Sequence, residues 1–205
     1  MVLLMLVAVS GTGKSSIARR LLERHPRLKL SVSHTTRQKR HGEMDGRDYH
    51  FVSRGQFESE RAAGGFAEWA EYVGNLYGTA RSTIEAARVE NHDLLFDIEV
   101  QGANQLKSVY PDAVSVFVLP PSWSRLKARL VGRGTETDAS IARRLARGRS
   151  ELRYARGFDY LVVNDDIDQV VRQIGDIYAG TFEGADSAGA TLTQLLNDEE
   201  FLAGA

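Results

Sequence analysis

The octapeptide Ala8-Val9-Ser10-Gly11-Thr12-Gly13-Lys14-Ser15 follows directly on the apolar run Val2 to Val7, so a buried strand feeds a glycine-bearing turn that ends in Lys-Ser. Gly11 and Gly13 let the backbone curl so that successive N–H groups point inward, and the helix that follows adds the positive end of its dipole. Together they make an anion cradle. Lys14 would reach the β- and γ-phosphates of a nucleoside triphosphate as a point charge, and the Ser15 hydroxyl would ligate a Mg²⁺ bridging the same oxygens. The nucleotide-binding set is therefore Ala8, Val9, Ser10, Gly11, Thr12, Gly13, Lys14, Ser15 and Ser16. Ala8 stands where the first glycine of GxxxxGK[ST] is usually written, and alanine is the least costly replacement if φ stays negative there. Ser10 and Thr12 read as loop formers. The plainer alternative is a Gly-Thr-Gly turn that merely joins a strand to a helix.

These residues need a scaffold. Val2 to Val7, uninterrupted and apolar, reads as a parallel strand covered on both faces, central to its sheet. Leu94 to Ile98, Ala113 to Leu119 and Tyr160 to Val163 are strands of the same kind, separated by helical patterns. Helices are predicted for Lys14 to Arg24, Thr79 to Glu90, Gln101 to Val109, Ser122 to Leu130, Ala139 to Tyr154 and Ile167 to Thr181. Between the first helix and Leu94 the chain is rich in glycine and in short runs such as Tyr49-His50-Phe51-Val52, which suggests a small β-rich insertion. Val131 to Asp138 is a glycine-flanked polar loop of the composition that mobile lids have. Beyond Phe182 the chain reads as a mobile tail or a self-packed helix bearing Leu192, Leu195, Leu196 and Phe201.

With 205 residues, 42% of them hydrophobic, the chain can bury a full core, and 26 Lys+Arg against 27 Asp+Glu give a net charge of −1. That balance offers no global attraction for nucleic acid or an anionic membrane surface. The absence of cysteine excludes disulfides and thiolate metal sites and fits a cytoplasmic protein. Met1 to Val9 is too short to span a bilayer and lacks a basic flank.

Inside the insertion runs an ordered polar series: Ser33-His34-Thr35-Thr36-Arg37-Gln38-Lys39-Arg40, then Gly46-Arg47-Asp48-Tyr49, Glu68-Trp69-Ala70 and Gly74-Asn75-Leu76-Tyr77-Gly78-Thr79. It continues in Asp97-Ile98-Glu99-Val100-Gln101-Gly102, Gly132-Arg133-Gly134-Thr135-Glu136 and Val163-Asn164-Asp165-Asp166. Over residues 2 to 182 this chain resembles the guanylate kinases. The resemblance implies an α/β fold: a P-loop kinase core with a parallel sheet flanked by helices, a small β-rich GMP-binding insertion and a mobile lid. It places the core at 1–32 and 89–182 with the lid at about 131–147, the GMP-binding subdomain at 33–88, and a tail at 183–205.

The implied reaction is transfer of the ATP γ-phosphate to GMP, and to dGMP, giving GDP and ADP, with Mg²⁺, ATP and GMP as the small molecules bound. By similarity Arg37, Arg40, Tyr49 and Tyr77 hold the GMP phosphate, two guanidinium forks neutralising the dianion and two phenols donating without added charge. Glu68 and Glu99 face the guanine N–H donors, with the Ser33 and Thr79 hydroxyls around the base; loss of such pairing discriminates adenine by on the order of 10⁴. The family commonly carries aspartate where Glu99 stands, which lengthens the reach there. Asp97 would hold a Mg²⁺-bound water, with a structural hydrogen bond as its rival. Lys14, Arg37 and the lid residues Arg133 and Arg144 would stabilise the charge in transfer, and Asn164 would lie near the adenine or the lid hinge, or serve only as a strand-end turn. Arg129, Arg143, Arg147, Arg149, Arg153 and Arg156 are either a solvated helix face or phosphate contacts. His34 reads as a neighbour of the GMP site, and Trp69 and Trp123 as packing residues. Two other functions fit the same pattern: a non-catalytic phosphopeptide-binding module, and a kinase for a modified guanine nucleotide.

Overall fold

The computed structural model describes residues 1–132, 137–183 and 187–198. In chain order the strands are β1 (Leu3–Ala8), β2 (Leu28–Leu30), β3 (His34–Thr35), β4 (His50–Phe51), β5 (Phe66–Tyr72), β6 (Asn75–Ala80), β7 (Asp93–Asp97), β8 (Val114–Leu119) and β9 (Tyr160–Val163). The helices are α1 (Lys14–Arg24), α2 (Arg54–Ala62), α3 (Arg81–Val89), α4 (Val100–Val109), α5 (Trp123–Val131), α6 (Asp138–Leu152), α7 (Ile167–Ala179) and α8 (Ser187–Asn197). One sheet has the order β2-β7-β1-β8-β9 and the other β4-β3-β6-β5. This is an α/β architecture, and the apolar run before the phosphate loop is the middle strand of its sheet, buried along its whole length.

The chain divides into two compact units, residues 1–5 with 26–113, and 6–25 with 114–205. In the first, β2 and β7 pair in parallel, and the buried Asp93 at the start of β7 accepts from the Val2 N–H at 2.6 Å. The four-stranded sheet also lies in this unit. Its core is Phe57 of α2 with Phe66, Leu76 and Ala80, and the Phe57 and Phe66 rings stack at 4.3 Å. A capping box opens α2: Ser53 Oγ accepts from the Gln56 N–H at 3.2 Å, and Gln56 Oε1 accepts from the Ser53 N–H at 2.8 Å. Thr79 and Ala80, expected at the start of a helix, instead finish β6, where they lie opposite Glu68 and Phe66. The ladder and the burial of a β-branched residue outweigh the helical pattern, and α3 starts at Arg81.

In the second unit β8 and β9 pair in parallel from Val116–Tyr160 to Leu119–Val163. Helix α1 packs on α7, and Arg20 and Arg24 both reach Asp168 of α7, at 2.6 and 3.2 Å. Helix α8 packs on β8 and β9 through Leu192 and Leu195, and Trp123 Nε1 donates to the Leu195 carbonyl at 3.0 Å. The segment past Phe182 thus contains a self-packed helix; Phe201 lies outside the described residues. Among the described residues no helix is long and apolar enough to cross a membrane.

The β5–β6 hairpin turns on Val73 and Gly74, with Tyr72 opposite Asn75 and φ of 49° and 76° at the two turn residues. Positive φ at both positions is the type I′ geometry that suits strand twist, and a β-branched residue is strained there. Val73 makes up for none of this by burial, since it is 79% exposed. Val73→Asn should therefore raise stability by about 1 kcal/mol, seen as a higher urea midpoint at unchanged slope.

Candidate active site

Two constellations stand out, one in each unit. In the second unit β1 runs into Gly11 at φ 96° and Gly13 at φ 103°, left-handed conformations that L side chains rarely adopt. A Cβ on Gly11 would also lie 2.7 Å from Leu130 Cδ2. Gly13 is the residue before α1, and its carbonyl accepts from the Ser16 and Ile17 N–H groups at 3.0 and 3.1 Å. Ser15 and Ser16 are exposed on the first turn. Ala8 is the buried last residue of β1 and is not among the positive-φ residues, so alanine is tolerated in place of glycine.

The loop is held from below by side chains far away in sequence. Asn164 Nδ2 donates to the Thr12 carbonyl at 2.5 Å, and Arg129 Nη2 donates to the Asn164 carbonyl at 2.9 Å. The buried Glu151 on α6 accepts from the Ser10 N–H at 3.1 Å and from Arg147 Nε at 2.6 Å. Arg129 and Arg147 are thus tied to the loop and its support, a contact that neither reading of the sequence included. Glu151 was missed; its only local signal is the Arg147–Glu151 spacing of a helical ion pair. Arg144 is half-buried on α6, and Arg133 lies outside the described residues.

The second constellation occupies the four-stranded sheet. Arg37 forms a fork with Glu43, Nη1 to Oε2 at 3.0 Å and Nη2 to Oε1 at 2.7 Å, and its guanidinium carbon lies 5.3 Å from the Tyr49 ring centre and 5.7 Å from that of Phe51. Glu43 also accepts from the Arg40 N–H at 2.8 Å, so one carboxylate folds the 37–43 loop; the Arg40 side chain is exposed. The Arg37 guanidinium, then the Arg40 N–H, hold the Glu43 carboxyl down at about 2, and Glu43 in turn raises Arg37 above its ordinary value. Tyr77 meets Tyr49 edge-on at 5.9 Å. Glu43 is the second residue that sequence reading missed, because nothing but the folded loop brings it to Arg37.

Further along the same sheet stands a set of different chemistry. Glu68 is 4% exposed, lies opposite Thr79 in the β5–β6 ladder, and has its pKa raised by burial against the lowering effect of hydrogen bonds from Thr79. Ser33 Oγ is 3.4 Å from Thr79 Oγ1. Tyr77 and Thr79 are two apart on β6 and so share a face, separated by about 7 Å. His34 pairs with Gly78 and so falls on the opposite face, where its ring stacks on His50 at 4.6 Å. Burial, then the neighbouring His50, keeps the His34 pKa low. Trp69 is half-buried under the Arg61 guanidinium at 4.7 Å, and Trp123 is a core residue. Glu99 is the half-buried residue immediately before α4, and Asp97 ends β7.

A glycine-built turn between strand and helix in one unit, and in the other a sheet that carries a buried carboxylate and a paired guanidinium, narrow the comparison to nucleotide kinases. The family profile described as guanylate kinase matches residues 1–179. The chain belongs to the guanylate kinase family. It is 47% identical over 172 residues to the guanylate kinase of a Synechococcus species, covering 84% of this chain and 92% of that one. With the guanylate kinase of Nitratidesulfovibrio vulgaris it shares 46% identity over 195 residues, 95% and 94% of the two chains. The crystal structure of guanylate kinase from Anaplasma phagocytophilum superposes with a TM-score of 0.70 at 30% identity, covering 94% of this chain and 93% of that one.

Because Glu43 is depressed from an ordinary 4.5 to about 2 in the folded state, its pairing contributes stability that is complete above pH 4.5 and fades as pH falls toward 2. Glu43→Gln should be less stable than the wild type at neutral pH, and thermal melts should show that gap closing across this acid window.

Proposed function

We propose that this guanylate kinase family member, an ATP:GMP phosphotransferase, holds ATP on the loop at residues 8–16 and GMP on the four-stranded sheet, and transfers the γ-phosphate by direct in-line displacement. The observation that carries the acceptor assignment is the layout of β6. Tyr77 and Thr79, two apart on one face of β6, carry a guanidinium-and-phenol set with Arg37 and Tyr49 at one end and a carboxylate-and-hydroxyl set with Glu68 and Ser33 at the other, as the phosphate and the base edge of a nucleotide require. Arg40, exposed beside Arg37, would add a second positive charge to the phosphate end. At the base end Glu68 and Glu99 would accept from the guanine N1–H and N2–H groups.

Lys14 would bear on the β- and γ-phosphates while the loop N–H groups donate to them, and Arg37 would aim the acceptor oxygens. Arg133 and Arg144 would add positive charge from a lid at about 131–147 once it closes and excludes water. Asn164 would act through the loop that its amide supports. The hydroxyl of Ser15 and, through water, the carboxylate of Asp97 are hard oxygen donors of the kind Mg²⁺ takes, and they would hold it. Bound there, the ion neutralises charge on the triphosphate. In this reading the core is 1–32 and 89–182, the GMP-binding subdomain 33–88 and the tail 183–205. The near-neutral net charge and lack of cysteine support a cytoplasmic enzyme with small-molecule substrates and no nucleic-acid partner.

A coupled ADP-release assay tests this. GMP should turn over with ATP and Mg²⁺ while AMP and UMP do not; Lys14→Ala should lower kcat by about 10²- to 10³-fold, and Arg37→Ala should raise the GMP KM by at least about tenfold. Turnover restricted to a modified guanine nucleotide would move the acceptor assignment to Glu99, and nucleotide binding with no turnover would favour a phosphopeptide-binding module.

A further inference from the structure

Strand β5 is an edge strand, so the outward backbone groups along it have no strand to pair with. At Trp69, the residue after Glu68, one side chain takes both: the Trp69 N–H donates to Gln105 Oε1 at 3.0 Å, and Gln105 Nε2 donates to the Trp69 carbonyl at 2.8 Å. Three residues earlier on the same face of α4 is Gly102. A Cβ there would overlap the Glu68 carboxylate, with Glu68 Cδ 3.2 Å and Cγ 3.7 Å away. Gly102 has no positive φ, so its backbone does not require glycine, and a glycine inside a helix is less favourable than alanine. What glycine supplies at 102 is room for the carboxylate.

We propose that Gly102 and Gln105 are positioning residues for Glu68 and, through it, determinants of acceptor specificity. The inference rests on the reading that Glu68 faces the guanine edge. Gln105 fixes the backbone from which Glu68 projects, and Gly102 leaves a slot one carboxylate wide against the helix. Between them they hold a three-torsion side chain in one place in a site too dry for water to correct a misplaced acceptor. Burial, which already raises the Glu68 pKa, makes that placement matter more.

The test is steady-state kinetics of the full chain with GMP and ATP varied separately. Gly102→Ala should raise the GMP KM by about tenfold, leave the ATP KM within about twofold and preserve most of kcat, and it should lower the preference for GMP over IMP, which lacks the 2-amino group. Gln105→Met, which keeps length but removes both hydrogen bonds, should raise the GMP KM by about threefold or more at unchanged ATP KM. Glu68→Asp should cost less GMP binding in the Gly102→Ala background than in the wild type, because the shorter acid relieves the overlap. A GMP KM unmoved by Gly102→Ala and Gln105→Met, equal shifts for GMP and ATP, or strict additivity with Glu68→Asp would each overturn the proposal. Glu68→Gln separates the two layers: if it leaves the GMP KM unchanged, the guanine-reading role falls and the positioning role with it. If it raises that KM while the Gly102 and Gln105 variants do not, the positioning role alone falls.

Discussion

A carboxylate leaves water only where something donates to it, and the placement of acids throughout this molecule obeys that constraint. Asp93 accepts from the Val2 N–H, Glu151 from the Ser10 N–H and Arg147, and the half-buried Glu43 from the Arg40 N–H and the Arg37 fork. Each ties one backbone segment to another, so the acids serve as structural fasteners. Glu68 differs. Thr79 is its donor, burial dominates its pKa, and among the described residues it keeps acceptor capacity beyond the Thr79 bonds. On the reading that GMP lies on this sheet, it is the acid suited to the base edge.

The same logic orders the positive groups. Arg37 is oriented by Glu43 and framed by aromatic rings, so its fork is fixed by the fold itself, and on the reading that it takes the GMP phosphate an incoming dianion would exchange one anion for another. Around the phosphate loop the pattern is inverted: Asn164 and Arg129 fix carbonyl groups on the inner side, leaving the curl of the glycines to present N–H groups. Pre-organisation in both places comes from residues that need touch no substrate.

Legibility in the sequence followed contact distance. Strand β1 and helix α1 were readable because the apolar run, the two glycines and the helix start are contiguous, and the bounds of α1 and β9 matched the periodicity closely. Strands β2, β3 and β4 are two or three residues long and carry no period of their own; they exist only through their partners. Helix α2 had a readable Ser53–Gln56 capping box but a single buried residue, Phe57, so it offered no apolar stripe. For the candidate site, the loop motif pointed to Lys14, and the family resemblance to Arg37, Tyr77 and Glu68. They could not expose Glu151, which meets Ser10 across 141 residues, nor Gln105, which meets Trp69 across 36. Such roles belong to the folded chain and leave no local pattern.

The amide of Gln105 has a consequence beyond the nucleotide. An open strand edge is a template on which another chain can add a strand, and proteins protect such edges against aggregation. Here the protection is a side chain that imitates the peptide group of a missing neighbour, so the same two hydrogen bonds that close the edge also fix the backbone beside Glu68.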